Sequence, residues 1–241
     1  MMPGMSSDWT TAPIVALDLE GSGAQDRDGE AILEIAVVPL TAGQPDIADA
    51  YSTLINPGRK IPRRPWISPG LTTAALASAP GPADVEPELA RRVNGRVVVG
   101  HNVGVDWRLL HRRHPAIAPI ALIDTLRLAR HLKFSAKNSL TDLTDQLQLT
   151  SRVERLAVGS QPHRALWDTV ATALLLPALT TRGWPTGATL AMLLETAAID
   201  LATGRARPSP GAAQETLFDP PTSTPADASR ALRDGARGGT A

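Results

Sequence analysis

No cysteine occurs among the 241 residues, which excludes disulfide bonds and zinc sites built from thiolates. Residues 1–11 are polar and lack the apolar stretch of a signal peptide, and no apolar run reaches membrane-spanning length. We therefore expect a cytoplasmic protein without a membrane partner. The formal net charge of +0 argues against tight, non-specific binding to nucleic acids, because such binding needs a basic surface.

What is present is an apolar content of 43%, enough for a real core, and a length that suits one substantial domain with extensions. The first of three acidic segments follows the apolar run Ile14–Leu17 and ends at a Gly-Ser-Gly turn. Asp18 and Glu20 then point to the same face of a strand end. Two carboxylates beside an apolar core are costly without a cation or a shared proton. We predict a metal site, although two unrelated acids at a solvated strand end remain an alternative for this segment alone.

The second segment follows another apolar strand, Arg96–Gly100. Apolar residues at helical spacing after Val103 put Asp106 in the first turns of a helix that leaves this strand. Open α/β sheets bind their ligands at that end of a strand. His101 and Asn102 occupy the turn, where ordinary turn chemistry explains them equally well.

The third segment contains His163 and Asp168, which would lie about 140° apart on a single helix. The sequence before His163 is loop-forming, whereas Ala165–Leu176 has no helix breaker. We therefore predict that His163 lies in a loop and Asp168 in the first helical turn. A histidine beside a carboxylate-held metal can accept a proton from water. A surface histidine near a helix start is the alternative.

Taken together, the three segments resemble the motifs of the DEDD superfamily of 3′-to-5′ exonucleases, in the branch whose third motif carries a histidine. The chain is similar to the proofreading (epsilon) subunits of bacterial replicative DNA polymerases over about residues 11 to 182. The matching residues are, in chain order, Asp18, Glu20, Ser22 and Gly23; His101, Asn102 and Asp106; and His163, Ala165 and Asp168.

This resemblance implies an α/β, ribonuclease-H-like exonuclease fold, with a mixed five-stranded sheet, three strands antiparallel and two parallel, and helices on both faces. Further strands are expected at Ile32–Ala36, Val37–Leu40 and Ala50–Ile55, a strand end at Asp124, and helices at Asp84–Val93 and Thr189–Thr203. The domain prediction is a flexible N-terminus (1–10), an exonuclease domain (11–182), a C-terminal helical extension (183–203) and a disordered tail (204–241).

The resemblance also implies a mechanism with two Mg²⁺ or Mn²⁺ ions and release of nucleoside 5′-monophosphates from 3′ ends. Asp18, Glu20 and Asp168 would share one ion, Asp18 would be the main ligand of the second, and Asp106 would act partly through water. His163 would take a proton from the attacking water. The predicted catalytic residues are Asp18, Glu20, Asp106, His163 and Asp168, of which the four carboxylates are also the predicted metal ligands.

Two positions depart from the family pattern, because Gly21 replaces the usual Thr and Val105 the usual Phe. Neither change removes a metal ligand, so they bear on substrate preference. The predicted substrate-binding residues are Gly21, Ser22, His101, Asn102 and Val105. The motifs do not distinguish DNA from RNA. An exoribonuclease of the same fold and a clamp- or polymerase-associated interaction subunit are the alternatives to a DNA exonuclease.

Two further stretches have sequences that bear on binding to a protein partner or to nucleic acid. Gln214–Phe218 resembles the Gln-x-x-Leu-Phe motif that docks bacterial proteins on the sliding clamp, with Gln214, Leu217 and Phe218 as the partner-binding residues. A residual apolar pair in a linker is the alternative, but the motif leads us to favour DNA over RNA. The proline-rich, basic stretch Asn56–Pro69 is interpreted as a solvated loop rather than a nucleic-acid contact.

Overall fold

The structure is a computed structural model that describes residues 7–23 and 29–206. Its central strand is β1 (Ile14–Gly21), whose first four residues are all buried because both faces of the sheet are covered. β1 pairs antiparallel with β2 (Ile32–Thr41) and parallel with β5 (Val97–Gly100). β2 contains both of the predicted stretches Ile32–Ala36 and Val37–Leu40 in one continuous strand.

The mixed sheet has seven strands within the described residues, rather than the predicted five. The strand order is β3-β2-β1-β5-β6-β7, and β4 also pairs with β2. The two additional strands are only two residues long, too short to leave a pattern in the sequence. The remaining strands are β3 (Gln44–Pro45), β4 (Tyr51–Leu54), β6 (Ala121–Asp124) and β7 (Ala198–Ile199).

Eight α-helices surround this sheet in the part of the chain that is described. They are α1 (Thr73–Leu76), α2 (Pro82–Val93), α3 (Gly104–Arg113), α4 (Thr125–His131), α5 (Leu140–Gln146), α6 (Thr150–Leu156), α7 (Ala165–Gly183) and α8 (Leu190–Ala197). Within the described ranges, no helix is both long enough and apolar enough to cross a membrane.

Alternate residues of β1 enter two different hydrophobic clusters. Ile14 and Ala16 pack in the cluster that includes α7, whereas Val15 and Leu17 pack in the cluster that includes α2 and α3. Because the side chains of a strand point to opposite faces in turn, these helices lie on both faces of the sheet. The predicted α/β fold class is confirmed.

The two ends of the described chain differ from expectation. Trp9 is buried and its backbone N–H donates to the Ala188 carbonyl, so the prediction of a flexible N-terminus does not hold for this residue. The helix predicted over Thr189–Thr203 ends at Ala197, because Ala198 and Ile199 pair with β6 instead. Residues 183–203 therefore contribute a strand to the main sheet as well as a helix.

Gly204, the first residue of the predicted disordered tail, is packed against α3. The Gly204 carbonyl lies so close to Gly104 that a Cβ at Gly104 would be 2.3 Å from its oxygen. Arg108 Nη1 donates to the same carbonyl at 2.8 Å, and Trp107 Nε1 donates to the Leu201 carbonyl at 2.8 Å. Residues 204–206, at the start of the predicted tail, are thus ordered. The partner-binding residues Gln214, Leu217 and Phe218 lie outside the described residues.

Candidate active site

Three parallel strands, β1, β5 and β6, end at the same edge of the sheet and deliver the predicted site residues there. Asp18 and Glu20 lie two residues apart on β1 and face the same side, as the strand period requires. The register shifts between Glu20 and Gly21, where β1 leaves its regular pairing with β2. α7 begins at Ala165, so Asp168 lies in its first turn as predicted.

The carboxylate groups of Asp18, Glu20 and Asp168 form the centre of this site. One oxygen from each residue lies within 4.8 Å of the other two, and all three residues are half-buried. Carboxylate oxygens are the ligands that Mg²⁺ and Mn²⁺ prefer. Three residues that are up to 150 positions apart in the chain thus converge on a volume that could hold one divalent cation.

Burial raises the pKa of each of these carboxyl groups, and neighbouring carboxylates raise it further. The pKa of Asp18 lies well above its usual value, first because of burial and then because of the charges of Asp106 and Asp168. Burial raises the pKa of Glu20 to about 7 and that of Asp168 to about 6. Ionisation of these carboxyl groups in the folded chain therefore costs free energy, and a bound cation would offset that cost.

Asp106 is the outer member of the acidic set. It lies in the first turn of α3 and is buried, with 9% of its surface exposed. Burial raises its pKa well above the usual value, and the charges of Glu20, Asp124 and Asp168 add to this effect. The structure thus brings all four predicted carboxylates together, although Asp106 lies outside the group of three that could share one ion.

His163 lies in the loop before α7, as predicted, and is exposed. Its φ angle of 63° is in the left-handed region, which few residues other than glycine adopt. Its backbone N–H donates to Asp168 Oδ1 at 3.3 Å. This backbone hydrogen bond and the charge of His163 both act to lower the pKa of Asp168, against the larger effect of burial, which raises it.

The predicted substrate-binding residues divide into two kinds. Val105 is 50% exposed on the first turn of α3, next to Asp106, and could contact a ligand. Ser22 is buried, and its hydroxyl accepts a hydrogen bond from the Ala31 N–H at 2.9 Å, which closes the hairpin between β1 and β2. At Gly21 a Cβ would lie 3.1 Å from Leu109 Cδ2, so any larger residue would press on α3.

His101 and Asn102 lie in the turn after β5, as predicted. The ring nitrogens of His101 lie 2.9 Å from Thr125 Oγ1 and 2.9 Å from the Asn138 carbonyl, so both already have protein partners. Burial lowers the pKa of His101 to about 4, which keeps the ring neutral. Asn102 has a φ of 66°, and its N–H donates to Asp124 Oδ1 at 2.8 Å. The side chain of Asn102 is exposed toward solvent.

Three residues at this site were missed by the sequence analysis. Glu34 and Arg164 form a two-pronged ion pair, with Nε–Oε2 and Nη2–Oε1 distances of 2.7 and 2.9 Å. The hydroxyl of Ser68 donates to Glu20 Oε2. Glu34 did carry a signal, since a single charge within the apolar strand Ile32–Leu40 needs a partner when buried. Ser68 carried none.

Comparison with known proteins agrees with this geometry. Residues 15–176 match the exonuclease family named RNase_T, which is more than half of the chain. The chain therefore belongs to this exonuclease family, which agrees with the family that its motifs predicted.

Two relatives and one solved structure give the scale of the similarity. A DNA polymerase III subunit epsilon-like protein of Rhodobacter capsulatus is 36% identical over 180 residues, which cover 71% of this chain and 25% of the relative. DNA polymerase III subunit epsilon of Aquifex aeolicus is 29% identical, with 66% of this chain and 76% of the relative covered. Exonuclease X in complex with 5′-overhanging duplex DNA has a TM-score of 0.53 at 28% identity, with 75% of this chain and 98% of that chain covered. The chain thus spans only about a quarter of the Rhodobacter relative.

Proposed function

We propose that the protein is a metal-dependent exonuclease that removes nucleoside 5′-monophosphates from the 3′ ends of DNA, in replication proofreading or repair. The observation that carries the proposal is the convergence of Asp18, Glu20 and Asp168, with Asp106 and His163 beside them. The names of the epsilon and epsilon-like relatives support DNA as the substrate, as does the duplex DNA bound to exonuclease X.

The donor set fits divalent cations. Three half-buried carboxylates with oxygens within 4.8 Å of one another, and with raised pKa values, form a site that a hard cation would neutralise. Asp18, Glu20 and Asp168 would hold one Mg²⁺ or Mn²⁺, and Asp18 with Asp106 would contribute to a second. When bound, the two ions supply activation of water and stabilisation of the negative charge on the leaving 3′ oxygen.

His163 is the proposed general base. It is exposed on a loop beside Asp168, and an imidazole exchanges protons near neutral pH. Arg164, the next residue, is fixed by its ion pair with Glu34 and so limits the movement of this loop. Val105 and the side chain of Asn102 would face the terminal nucleotide, whereas His101 and Ser22 support the site from behind.

A nuclease assay tests the proposal. Purified protein should shorten a 5′-labelled DNA oligonucleotide from its 3′ end when Mg²⁺ is present, and EDTA should stop the reaction. Asp18→Ala and His163→Ala should each abolish shortening, because they remove a metal ligand and the base. Glu195→Ala and His131→Ala are matched controls on exposed helix positions and should retain full activity. Undiminished activity in Asp18→Ala would rule the proposal out.

The same assay with RNA decides between the DNA and RNA alternatives. Digestion of RNA at an equal or higher rate than DNA would favour an exoribonuclease. If neither DNA nor RNA were digested, a role as an interaction subunit would be favoured. Docking on a sliding clamp through Gln214, Leu217 and Phe218 stays a prediction. A binding measurement between a tail peptide and a bacterial clamp would decide it, with loss of binding expected for the pair Leu217→Ala, Phe218→Ala.

A further inference from the structure

The stretch of residues 59–70, called here the basic segment, is held firmly at both ends. Ile61 and Leu71 are buried in a small hydrophobic cluster together with Leu33 and Leu76. The Ile61 N–H donates to Thr73 Oγ1 at 2.8 Å, which ties the entry of the segment to α1. The stretch was predicted to be a solvated loop, but both of its ends are anchored to the rest of the protein.

Two consecutive tight turns shape the tip of the basic segment. The Ile67 N–H donates to the Arg64 carbonyl at 3.2 Å, and the Leu71 N–H donates to the Ser68 carbonyl at 3.2 Å. Pro65 and Pro69 occupy the second position of each turn, where their fixed φ favours the bend. The conformation of the tip is thus restricted before any ligand binds.

The tip is attached to the candidate active site. Ser68 is buried, and its hydroxyl donates to Glu20 Oε2. A Cβ at Gly70 would lie 3.8 Å from Arg164 Nη1, so the second turn also approaches the loop that carries His163. Trp66 is two residues from Ser68, which keeps their Cα atoms within about 7 Å of each other. The Trp66 backbone is therefore linked to Glu20 by two residues of chain and the hydrogen bond of Ser68.

The exposed chemistry of the tip is aromatic and cationic. Trp66 is 47% exposed, and the Arg64 guanidinium lies 5.6 Å from the centre of its ring. The segment has no acidic residue but carries four exposed cations, in a chain whose formal net charge is +0. These are Arg59, Lys60, Arg63 and Arg64. Aromatic rings beside cations are the surface that single-stranded nucleic acids bind, through base stacking and phosphate contacts.

We propose that Trp66 stacks on an unpaired base near the 3′ end of the substrate, while Arg63 and Arg64 contact the adjacent phosphates. The inference rests on the proposed exonuclease function and names the form of DNA that the site takes. Behind the terminal pair, every base of a duplex has both faces covered by its neighbours, so Trp66 can stack there only when the end is single-stranded or frayed. Stacking on Trp66 therefore selects single-stranded or frayed 3′ ends over fully paired ones.

Equilibrium binding tests the inference without cleavage. The full chain with Asp18→Ala, in EDTA, is titrated into a 5′-fluorescein-labelled oligo(dT) of twelve nucleotides, and anisotropy gives Kd. Adding Trp66→Ala should raise Kd about 5- to 100-fold, because stacking on one base is lost. Trp66→Phe should recover part of the affinity, and Glu195→Ala should change nothing. Since Trp66 is half-exposed, thermal unfolding of Trp66→Ala should match that of its parent.

An abasic scan identifies the stacked base. Oligonucleotides that lack one base at each of the last four 3′ positions are compared in the two backgrounds. With Trp66 present, one position should show a clear loss of affinity. In Trp66→Ala the same abasic position should cost nothing further, because the stacking partner is already absent. Independent, additive losses at every position would overturn the proposal.

Kinetics distinguish this inference from the underlying function. In the active enzyme, Trp66→Ala should raise KM for single-stranded DNA with little change in kcat, and the preference for single-stranded over paired ends should fall. If the wild type shows no Mg²⁺-dependent shortening, the exonuclease proposal fails, whereas the binding experiment still decides the role of Trp66. If the wild type is active and Trp66→Ala binds and discriminates normally, only the stacking proposal is overturned.

Discussion

Glu20 and Glu34 lie directly opposite each other on β1 and β2, but their carboxylates have different partners. Glu34 is buried and is neutralised by the bidentate contact with Arg164. Glu20 accepts a hydrogen bond from the hydroxyl of Ser68 and lies beside Asp18 and Asp168. Arg164 balances the charge of Glu34, whereas Glu20 belongs to the acidic cluster that could hold a divalent cation. Under the proposed function, the first carboxylate supports the fold and the second binds the ion.

The largest expected effect comes from removing the charge of Glu20. Glu20→Gln should lower the exonuclease rate by about a thousand-fold, because one ligand of a catalytic cation is worth several kcal/mol. In EDTA at pH 8, the same variant should melt at or above the wild-type temperature, because a repelling buried charge has been removed. Initial rates and thermal unfolding of one preparation measure both effects. A variant that is both inactive and clearly less stable in EDTA would contradict this contrast.

For Glu34, on the neighbouring strand β2, we expect the opposite pattern, a clear loss of stability and a smaller loss of activity. Glu34→Gln should reduce the free energy of unfolding by about 2 to 3 kcal/mol, since the guanidinium of Arg164 loses its buried partner. Activity should fall less than in Glu20→Gln and only through looser positioning of the His163 loop. Denaturant unfolding measures the change.

A double-mutant cycle supplies the control for that ion pair. Arg164→Gln alone should also destabilise the protein, and the double variant with Glu34→Gln should recover part of the loss, because no unpaired charge remains. Strictly additive losses would mean that the two side chains do not act as a pair.

A change of pH should have a smaller effect on the stability of the protein. Unfolded carboxyl groups titrate near 4, whereas the pKa values of Glu20 and Asp168 in the folded chain are about 7 and about 6. The folded state therefore binds more protons between these limits, and stability in EDTA should decrease by about 1 to 3 kcal/mol from pH 5 to pH 8. Mn²⁺ should restore stability most at the alkaline end, where it need not displace protons. Thermal unfolding against pH measures this, and Glu20→Gln should flatten the profile.

The sequence was sufficient for those parts of the site that follow from local geometry. The two-residue spacing of Asp18 and Glu20, and the loop-to-helix change between His163 and Asp168, could be interpreted from strand and helix periods. Contacts between residues that are far apart in the sequence could not be predicted in this way. Glu34 and Arg164 are 130 residues apart, and the sequence around either residue does not indicate which residue it pairs with.

The fold shows the same division. The long strands β1 and β2 were recognisable from their apolar runs, whereas β3 and β7 consist of two residues each. Over Thr189–Thr203, leucine spacing predicted a helix that runs too far, because pairing of Ala198 and Ile199 with β6 outweighs local helix preference. The hydrogen-bond partners of His101, 24 and 37 residues further along the chain, were likewise not predictable from the sequence, and its role in substrate binding stays a prediction.

The contact between Gly204 and Gly104 has a consequence for how far the working enzyme extends along the chain. Gly104 opens the helix that displays Val105 and Asp106, and residues 201 and 204 brace that helix through Trp107 and Arg108. The family match ends at residue 176, well before this brace. A fragment cut at that limit would retain every residue of the three acidic motifs but lose the contacts that support the helix of Asp106.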